Sequence, residues 1–399
     1  MSGHVSSEFN PYDYDFHEDP YPAYAWLRAH APLYHNEGLD FWALSRYSDV
    51  TAGFRDNTRL SSANGVSLDP AAYGPHAHRT MSFLAMDEPR HVRMRALVSR
   101  GFTPRRVLEL EGRVTELTRQ HLDAALARKE FDVIGEFAGK LPMDVISELL
   151  GVPVADRDRL RALSDAVMHR ADGVLDVPPA AIEAAIELAG YYVSMIEERR
   201  RLPGDDLASA LLDAEIDGER LSDEDIIGFL FLMVVAGNET TTKLLGNALY
   251  WAWRNPGERS RVLADPALVP AWIEETLRYD TSSQIIVRTA TTDLDYHGRT
   301  VPAGARVLLL IGSANRDEAA FPDGDTYRVD RDPGQKLASF GAGVHFCLGA
   351  SLARLEARVA LTEFVSRVAD YEIDDTAAER VHSTNVRGFA TLPVRVTPR

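Results

Sequence analysis

A mainly helical domain with a minor β-rich lobe is what this 399-residue sequence predicts. Three observations carry the expectation. Apolar residues recur at three- and four-residue spacing through most of the chain, the pattern of amphipathic helices packed on a core. Between Gln284 and Leu310 the pattern changes to β-branched alternation, as a half-buried sheet requires. No serine/glycine tether, charge block, low-complexity tract or internal repeat divides the chain, so residues 1–399 are read as one domain with a short disordered segment at about residues 1–10.

The elements follow in order. Pro32 to His35 and Phe41 to Leu44 read as short strands around a turn at Glu37-Gly38. Thr103 can cap a helix with Pro104 at its first position, and Val107, Leu110, Val114 and Leu117 form its apolar stripe. Helical patterns then cover Asp156 to Met168, Pro179 to Arg200 and Asp205 to Ala214, with a break at Pro203-Gly204. Ser222 followed by Asp223, Glu224 and Asp225 complements the positive end of a helix dipole. The helix it opens should run to Arg254, where Asn255-Pro256-Gly257 stops it, and such length predicts an axle through the molecule. Turns at His297-Gly298 and Pro302-Ala303-Gly304 divide the strand-like stretch, and a helix over Ala271 to Tyr279 precedes it. Irregular chain from Asn315 to Leu337 leads to a last helix beginning at Ala350 and a closing hairpin around Gly388 to Val396.

A net charge of −17 argues against nucleic acid or an anionic membrane as partner, because both need a positive face. Met1 to Asn10 is polar, without a signal or anchor, and the longest apolar run, Ile226 to Gly237, is about half a bilayer span. A cytoplasmic, membrane-free monomer is expected. The single cysteine, Cys347, excludes an intramolecular disulfide and any multi-cysteine zinc site.

That cysteine sits in Phe340-Gly341-Ala342-Gly343-Val344-His345-Phe346-Cys347-Leu348-Gly349. Glycines permit positive φ and close backbone approach, so the stretch reads as a tight loop against which a flat macrocycle can lie. Leu348, Leu352, Leu355 and Val359 recur at helical spacing and put Cys347 at a helix N-terminus, where free N–H groups favour a thiolate. In an average chain a lone cysteine is a small buried hydrophobe. Here Phe340, Gly341, Gly343, His345, Cys347 and Gly349 match, position by position, the haem-binding loop of the cytochrome P450 superfamily. The chain resembles a soluble bacterial member from about Tyr12 to Val396. The resemblance implies the family's fold with the long helix over the haem, haem b (iron protoporphyrin IX) as cofactor, and Cys347 as the proximal iron ligand.

Other motifs fit the same resemblance. Ala236-Gly237-Asn238-Glu239-Thr240-Thr241-Thr242 places a glycine and three β-branched residues inside an apolar helix, which lowers helix propensity and predicts a local bulge or groove. By resemblance, Glu239 and Thr240 are the acid–alcohol pair that relays protons during oxygen activation, and Gly237 leaves room for the oxygen. Glu275 and Arg278 are three apart and share a helix face, a weak signal alone since exposed pairs contribute about 0–1 kcal/mol. The resemblance makes them a buried structural triad with Arg331. It also implies that His91 and Arg95, after Met86-Asp87-Glu88-Pro89, hold the haem propionates together with Arg288 and His345. One departure is Thr281-Ser282-Ser283, where many relatives carry proline. Arg100, Arg105, Arg106, Arg354 and Arg358 border the cysteine side; they read either as solvated surface or as a docking patch for an acidic electron carrier.

Family resemblance puts the pocket lining in the Ser61 to Leu84 loop with Phe83 and Leu84, the Leu163 to Tyr192 region, Val234, Val235 and Ala236, Ile285, Ile286 and Val287, and Gly388-Phe389. These residues are mainly apolar, so a lipid, terpenoid, steroid or polyketide is expected rather than a small polar metabolite. The expected function is a haem-thiolate monooxygenase inserting one oxygen atom from O2 into a C–H or C=C bond, with NAD(P)H-derived electrons from a separate ferredoxin and its reductase. An H2O2-driven peroxygenase and a non-catalytic haem sensor or carrier are the alternatives. A Cys347–His345 hydrolase is disfavoured, because residues two apart in a glycine-rich loop lack a supporting third group and an oxyanion hole.

Overall fold

The longest helix owes its ends to side chains that satisfy the backbone. Ser222 Oγ accepts the Asp225 N–H at 3.1 Å, and the helix then runs 32 residues, about 48 Å, to Arg254, where Asn255 and Pro256 end it. In this computed structural model, residues 9–216, 218–331 and 337–399 are described, and of Arg100, Gly101, Ile216 and Glu219 only the backbone. In chain order, the elements that position the site are strands β1 (Leu33–Asn36), β2 (Phe41–Leu44) and β3 (Leu60–Ser61), and helices α1 (Arg90–Val98), α2 (Lys140–Leu150), α3 (Val154–Met168), α4 (Asp223–Arg254) and α5 (Val269–Tyr279). Strands β4 (Ile285–Ala290) and β5 (Arg306–Leu310) and helix α6 (Ala350–Arg367) follow.

Helix α4 is buried along most of its length and packs against α2, α3, α5 and α6, as an axle should. Its apolar positions belong to the main core, which is helical; two smaller cores lie against the sheet. The sheet has the order β1-β2-β5-β4-β3. β1 and β2 are antiparallel, β2 and β5 parallel, and β4 is antiparallel to both β5 and β3. Between β4 and β5 the short hairpin Leu294–Tyr296/Arg299–Val301 turns at His297 and Gly298, both at positive φ (51° and 76°), as the His-Gly pair predicts. The mainly helical class with a minor β lobe is therefore what the chain adopts.

Four expectations need correction. The helix capped by Thr103, whose Oγ1 accepts from the Arg106 N–H, is two helices, Pro104–Glu109 and Glu111–Leu126. Gly112 in the first turn after the break lowers helix propensity there by about 1 kcal/mol relative to Ala. Of the expected bulge or groove around Gly237, the bulge is absent: α4 stays helical there although Thr240 Oγ1 donates to the Ala236 carbonyl at 2.9 Å, and Ala236, Gly237 and Thr240 line a cavity instead. A π turn lies instead at Ile134–Ala138, and Thr242 Oγ1 donates to its Ala138 carbonyl. The closing hairpin is really two strands in different sheets: Phe389–Thr391 pairs with Glu379–Arg380, and Pro393–Pro398 with Val368–Ile373 and Glu130–Asp132. Pro393 has no N–H to continue a ladder, and the chain changes partner there. Finally, Phe9 falls within the expected disordered segment but is buried against Phe16, Tyr34 and Phe41; residues 1–8 of that expectation lie outside the described residues. Residues 332–336 of the expected irregular stretch lie outside them too.

Candidate active site

The cysteine loop is shaped by its glycines. Gly341 and Gly343 have φ of 65° and 70°, and a Cβ on Gly343 would come within 2.8 Å of the Phe54 carbonyl oxygen, so both freedom and smallness are needed there. The loop then closes on itself: the Cys347 N–H donates to the Phe340 carbonyl at 2.9 Å and the Gly341 N–H to that of Ala338 at 2.8 Å. Cys347 precedes the first residue of α6 by three positions, a little ahead of the helix N-terminus that spacing predicts, with Gly349 as N-cap. Its solvent contact is with a deep cavity whose wall it forms, while protein surrounds it otherwise. Burial pushes the thiol up, although hydrogen bonding from the Gly349 and Ala350 backbone and the charges of Arg95 and Arg354 pull the other way. The helix-end donors are present as expected, but desolvation outweighs them.

Opposite the loop, α4 contributes Met233, Ala236, Gly237, Thr240 and Thr241 to the cavity. Phe83, Leu84 and Ile286 line it from the side. A Cβ on Gly237 would meet Ile146 Cγ1 of α2 at 3.4 Å, so the space that glycine leaves is shared with α2. Glu239 does not line the cavity. Its carboxylate, 2% exposed, faces Lys243 Nζ at 3.2 Å and accepts from Asn238 Nδ2 at 3.2 Å. Burial would raise its pKa, but Lys243, together with a hydrogen bond from the Asp165 carboxyl of α3, holds it below the usual carboxylate range.

At one rim, four nitrogen-bearing side chains converge. The His91 and His345 rings lie 4.1 Å apart, and both ring nitrogens of His91, Nδ1 of His345 and Nη1 of Arg95 are buried without a hydrogen-bond partner among the described residues. Arg95 also donates through Nη2 to the Phe346 carbonyl, and Arg288, buried on β4, lines the cavity beside His345. Burial lowers His91 to about 4, His345 to about 2 and Arg288 to about 10; neighbouring positive charges add to the histidine shifts, and the Asp87 carboxylate only partly opposes those of His91 and Arg288. Orphaned buried donors are costly unless an acceptor completes them. A cavity with a cysteine in its wall and a cluster of orphaned buried nitrogens at its edge fits a haem with two propionates.

The third group holds the loop from behind. Arg278 Nε and Nη2 bind Glu275 at 2.8 Å each, and Arg331 Nε lies 3.2 Å from the same carboxylate. Arg278 also donates to the Asn315 and Gly324 carbonyls, and the Asn315 side chain reaches Ser339 Oγ and the Ala338 N–H. The triad thus orders the irregular chain that carries the cysteine loop.

Several expected lining residues lie elsewhere. Ile285 and Val287 point to the other face of β4, into the core with Tyr24 and Leu310, because successive strand residues alternate; only Ile286 and Arg288 face the cavity. Val235 packs on the helical core, and Phe389 sits against Tyr250 and under Arg380, 3.9 Å from its ring. No residue from 163–192, nor Val234 or Gly388, lines the described cavity. The basic patch is largely paired: Arg354 with Glu274, Arg358 with Glu111, Arg105 and Arg106 with Glu109; the Arg100 side chain lies outside the described residues.

Sequence reasoning missed Lys243, Asp165 and Glu356. Lys243 was legible as the i+4 partner of Glu239 in an apolar helix. Glu356, in the cavity wall on α6 and raised to about 8 by burial, interrupts an apolar stripe and could have been noticed. Asp165 comes from another helix and left no local signal.

Comparison with known proteins accords with this geometry. The cytochrome P450 family model matches residues 44–265 and 261–395. Over 390 residues the chain is 62% identical to a protein of Mycobacterium tuberculosis named as cytochrome P450 123, covering 98% of this chain and 97% of that one. It is 39% identical over 392 residues to vitamin D(3) 25-hydroxylase of Pseudonocardia autotrophica, covering 96% and 95%. The solved structure of CYP109E1 from Bacillus megaterium in complex with testosterone superposes with a TM-score of 0.88 at 31% identity, covering 96% and 98% of the two chains. A cysteine loop of this build and a long helix lining one cavity, within a sequence matched almost end to end, mean that the chain belongs to the cytochrome P450 family and is a haem monooxygenase.

Proposed function

We propose that this enzyme hydroxylates or epoxidises an apolar polycyclic substrate of steroid or secosteroid class, using O2 and NAD(P)H-derived electrons delivered by a separate ferredoxin and its reductase. The observation that carries the reading is the position of Cys347 and Thr240 on opposing walls of one cavity with apolar sides. Phe83, Leu84, Met233 and Ile286 offer an aliphatic and aromatic surface, and hydroxyls from Thr281, Ser282 and Ser283 give a few polar points to orient a ligand. The names of relatives support the class: one is a vitamin D(3) 25-hydroxylase and another was crystallised with testosterone.

Haem, when bound, supplies the redox centre at which O2 is activated. The protein's own residues do the rest. Cys347 would hold the iron through its thiolate, a state that burial of the thiol opposes and that hydrogen bonding from the Gly349 and Ala350 backbone favours. His91, Arg95 and His345, with their unpartnered nitrogens, and Arg288, with its buried charge, would hold the propionates. The Thr240 hydroxyl, whose proton goes to the Ala236 carbonyl, offers its oxygen to the cavity, and the ionised Glu239 carboxylate one residue away can take up a proton and pass it on. Glu275, Arg278 and Arg331 keep the loop in place. The surface ion pairs of Arg354 and Arg358 contribute about 0–1 kcal/mol and can be exchanged for carboxylates of an acidic electron carrier.

Turnover of a steroid panel under ¹⁸O2, with NAD(P)H, ferredoxin and reductase, tests the reading. One labelled oxygen atom per product molecule is expected. Product formed equally well with H2O2 alone and unaffected by Thr240→Ala would contradict it.

A further inference from the structure

We propose that Asp165 on α3 is the residue through which solvent protons reach the buried Glu239 on α4. The inference rests on the reading of Glu239 and Thr240 as the proton-handling pair, and it adds a second helix to that pair.

Glu239 and Lys243 are both nearly sealed from water, with side chains 2% and 3% exposed. Neither can exchange a proton with solvent directly. The Asp165 carboxyl hydrogen-bonds that of Glu239 across the packed interface between α3 and α4, and Asp165, unlike Glu239, is an exposed residue. It is therefore the point in the cluster that touches both water and Glu239.

The charges around the pair are Lys243 from α4 and Arg161 one turn earlier on α3. Two carboxyl groups in hydrogen-bond contact cannot both ionise without repulsion, so they hold one proton between them. Lys243 contacts Glu239 directly, which keeps the charge on Glu239 and the proton on Asp165; burial and the Glu239 contact both raise Asp165.

The step balances as a proton transfer alone. The Asp165 O–H bond breaks, an O–H bond forms on Glu239, and the Asp165 carboxylate takes a replacement proton from water at its exposed edge. No electrons move. Once neutral, Glu239 loses its charge attraction to Lys243 and is free to turn toward the Thr240 side of the helix. Asp165 touches no reacting atom and acts only through Glu239.

The test uses holoenzyme variants Asp165→Asn, Asp165→Glu, Glu239→Gln and the double variant Asp165→Asn/Glu239→Gln. For Asp165→Asn, kcat should fall about tenfold, with a larger solvent deuterium isotope effect and the loss of the high-pH decline in kcat. The dissociation constant of substrate, read from the spin-state shift, should not change. Asp165→Glu should restore rate and pH profile, and the double variant should be no slower than Glu239→Gln. In the resting protein, without turnover, Asp165→Asn should remove one component of the infrared C=O absorption of protonated carboxyl groups that the wild type shows at neutral pH, the component of Glu356 remaining. Wild-type rate, isotope effect and pH profile in Asp165→Asn, beside an impaired Glu239→Gln, would overturn the Asp165 role and leave Glu239 standing. A Glu239→Gln variant with wild-type behaviour would overturn both.

Discussion

Thr240 and Glu239 are consecutive in the chain but serve different sides of α4. The Thr240 hydroxyl, bonded to the Ala236 carbonyl at 2.9 Å, belongs to the cavity wall, and the Glu239 carboxylate turns away to Lys243 Nζ, 3.2 Å off. A 3.6-residue helix puts neighbours about 100° apart, so one turn of α4 can present an alcohol to the substrate side and hold an acid in the protein interior.

Lys243→Met tests that buried pair. Glu239 is held low in the folded protein, so its contribution to stability is present near neutral pH and is lost as pH falls through its folded value. Removing Lys243 leaves a buried carboxylate without its main counter-charge, and a loss of about 3 kcal/mol is expected at neutral pH, by denaturant titration. The sign then reverses with pH. Burial now dominates, the carboxyl takes up a proton, and the variant should regain stability toward acid.

Arg288→Met should weaken haem retention while sparing the haem-free protein. A hydrogen bond to a charged group contributes about 1.5–3 kcal/mol, which converts to roughly ten- to hundredfold faster haem loss to an acceptor globin. In the haem-free protein Arg288 is a buried cation held down to about 10 by desolvation, so its removal should not lower the unfolding midpoint.

The rim histidines give the haem-free protein a pH signature. Their folded values, about 4 for His91 and about 2 for His345, lie below the ordinary 6.5, so the unfolded chain binds more protons in acid. Stability should be full above about pH 6.5 and fall as pH drops below it. His91→Phe with His345→Phe should flatten that slope in urea titrations from pH 7 to 4.

Alternation along β4 predicts a split between neighbours. Ile286→Ala should change substrate affinity in spin-state titrations with a small effect on stability. Ile285→Ala should cost about 2–5 kcal/mol of stability and leave substrate affinity near wild type, because its side chain is in the core rather than the cavity.

Much of this site could be read from local patterns. The cysteine loop needs glycines at positions 341 and 343 whatever surrounds it, the long helix is marked by Ser222 and Asn255-Pro256, and Glu275-x-x-Arg278 lies on one helix face. What escaped was relational. The facing of Ile285, Ile286 and Val287 depends on which side of β4 meets the cavity, and alternation alone leaves that choice open. The Asp165–Glu239 contact joins residues 74 positions apart on two helices. Cys347 shows a subtler gap: the helix-end donors were correctly anticipated, but their effect is smaller than the burial of the thiol.

The reduced, carbon-monoxide-bound absorption spectrum of the wild type beside Cys347→Ser tests the central claim most directly. A thiolate-type, red-shifted Soret band in the wild type that disappears in the variant is the predicted result. A wild-type spectrum without that band, or one unchanged by Cys347→Ser, would contradict the assignment of Cys347 as the iron ligand.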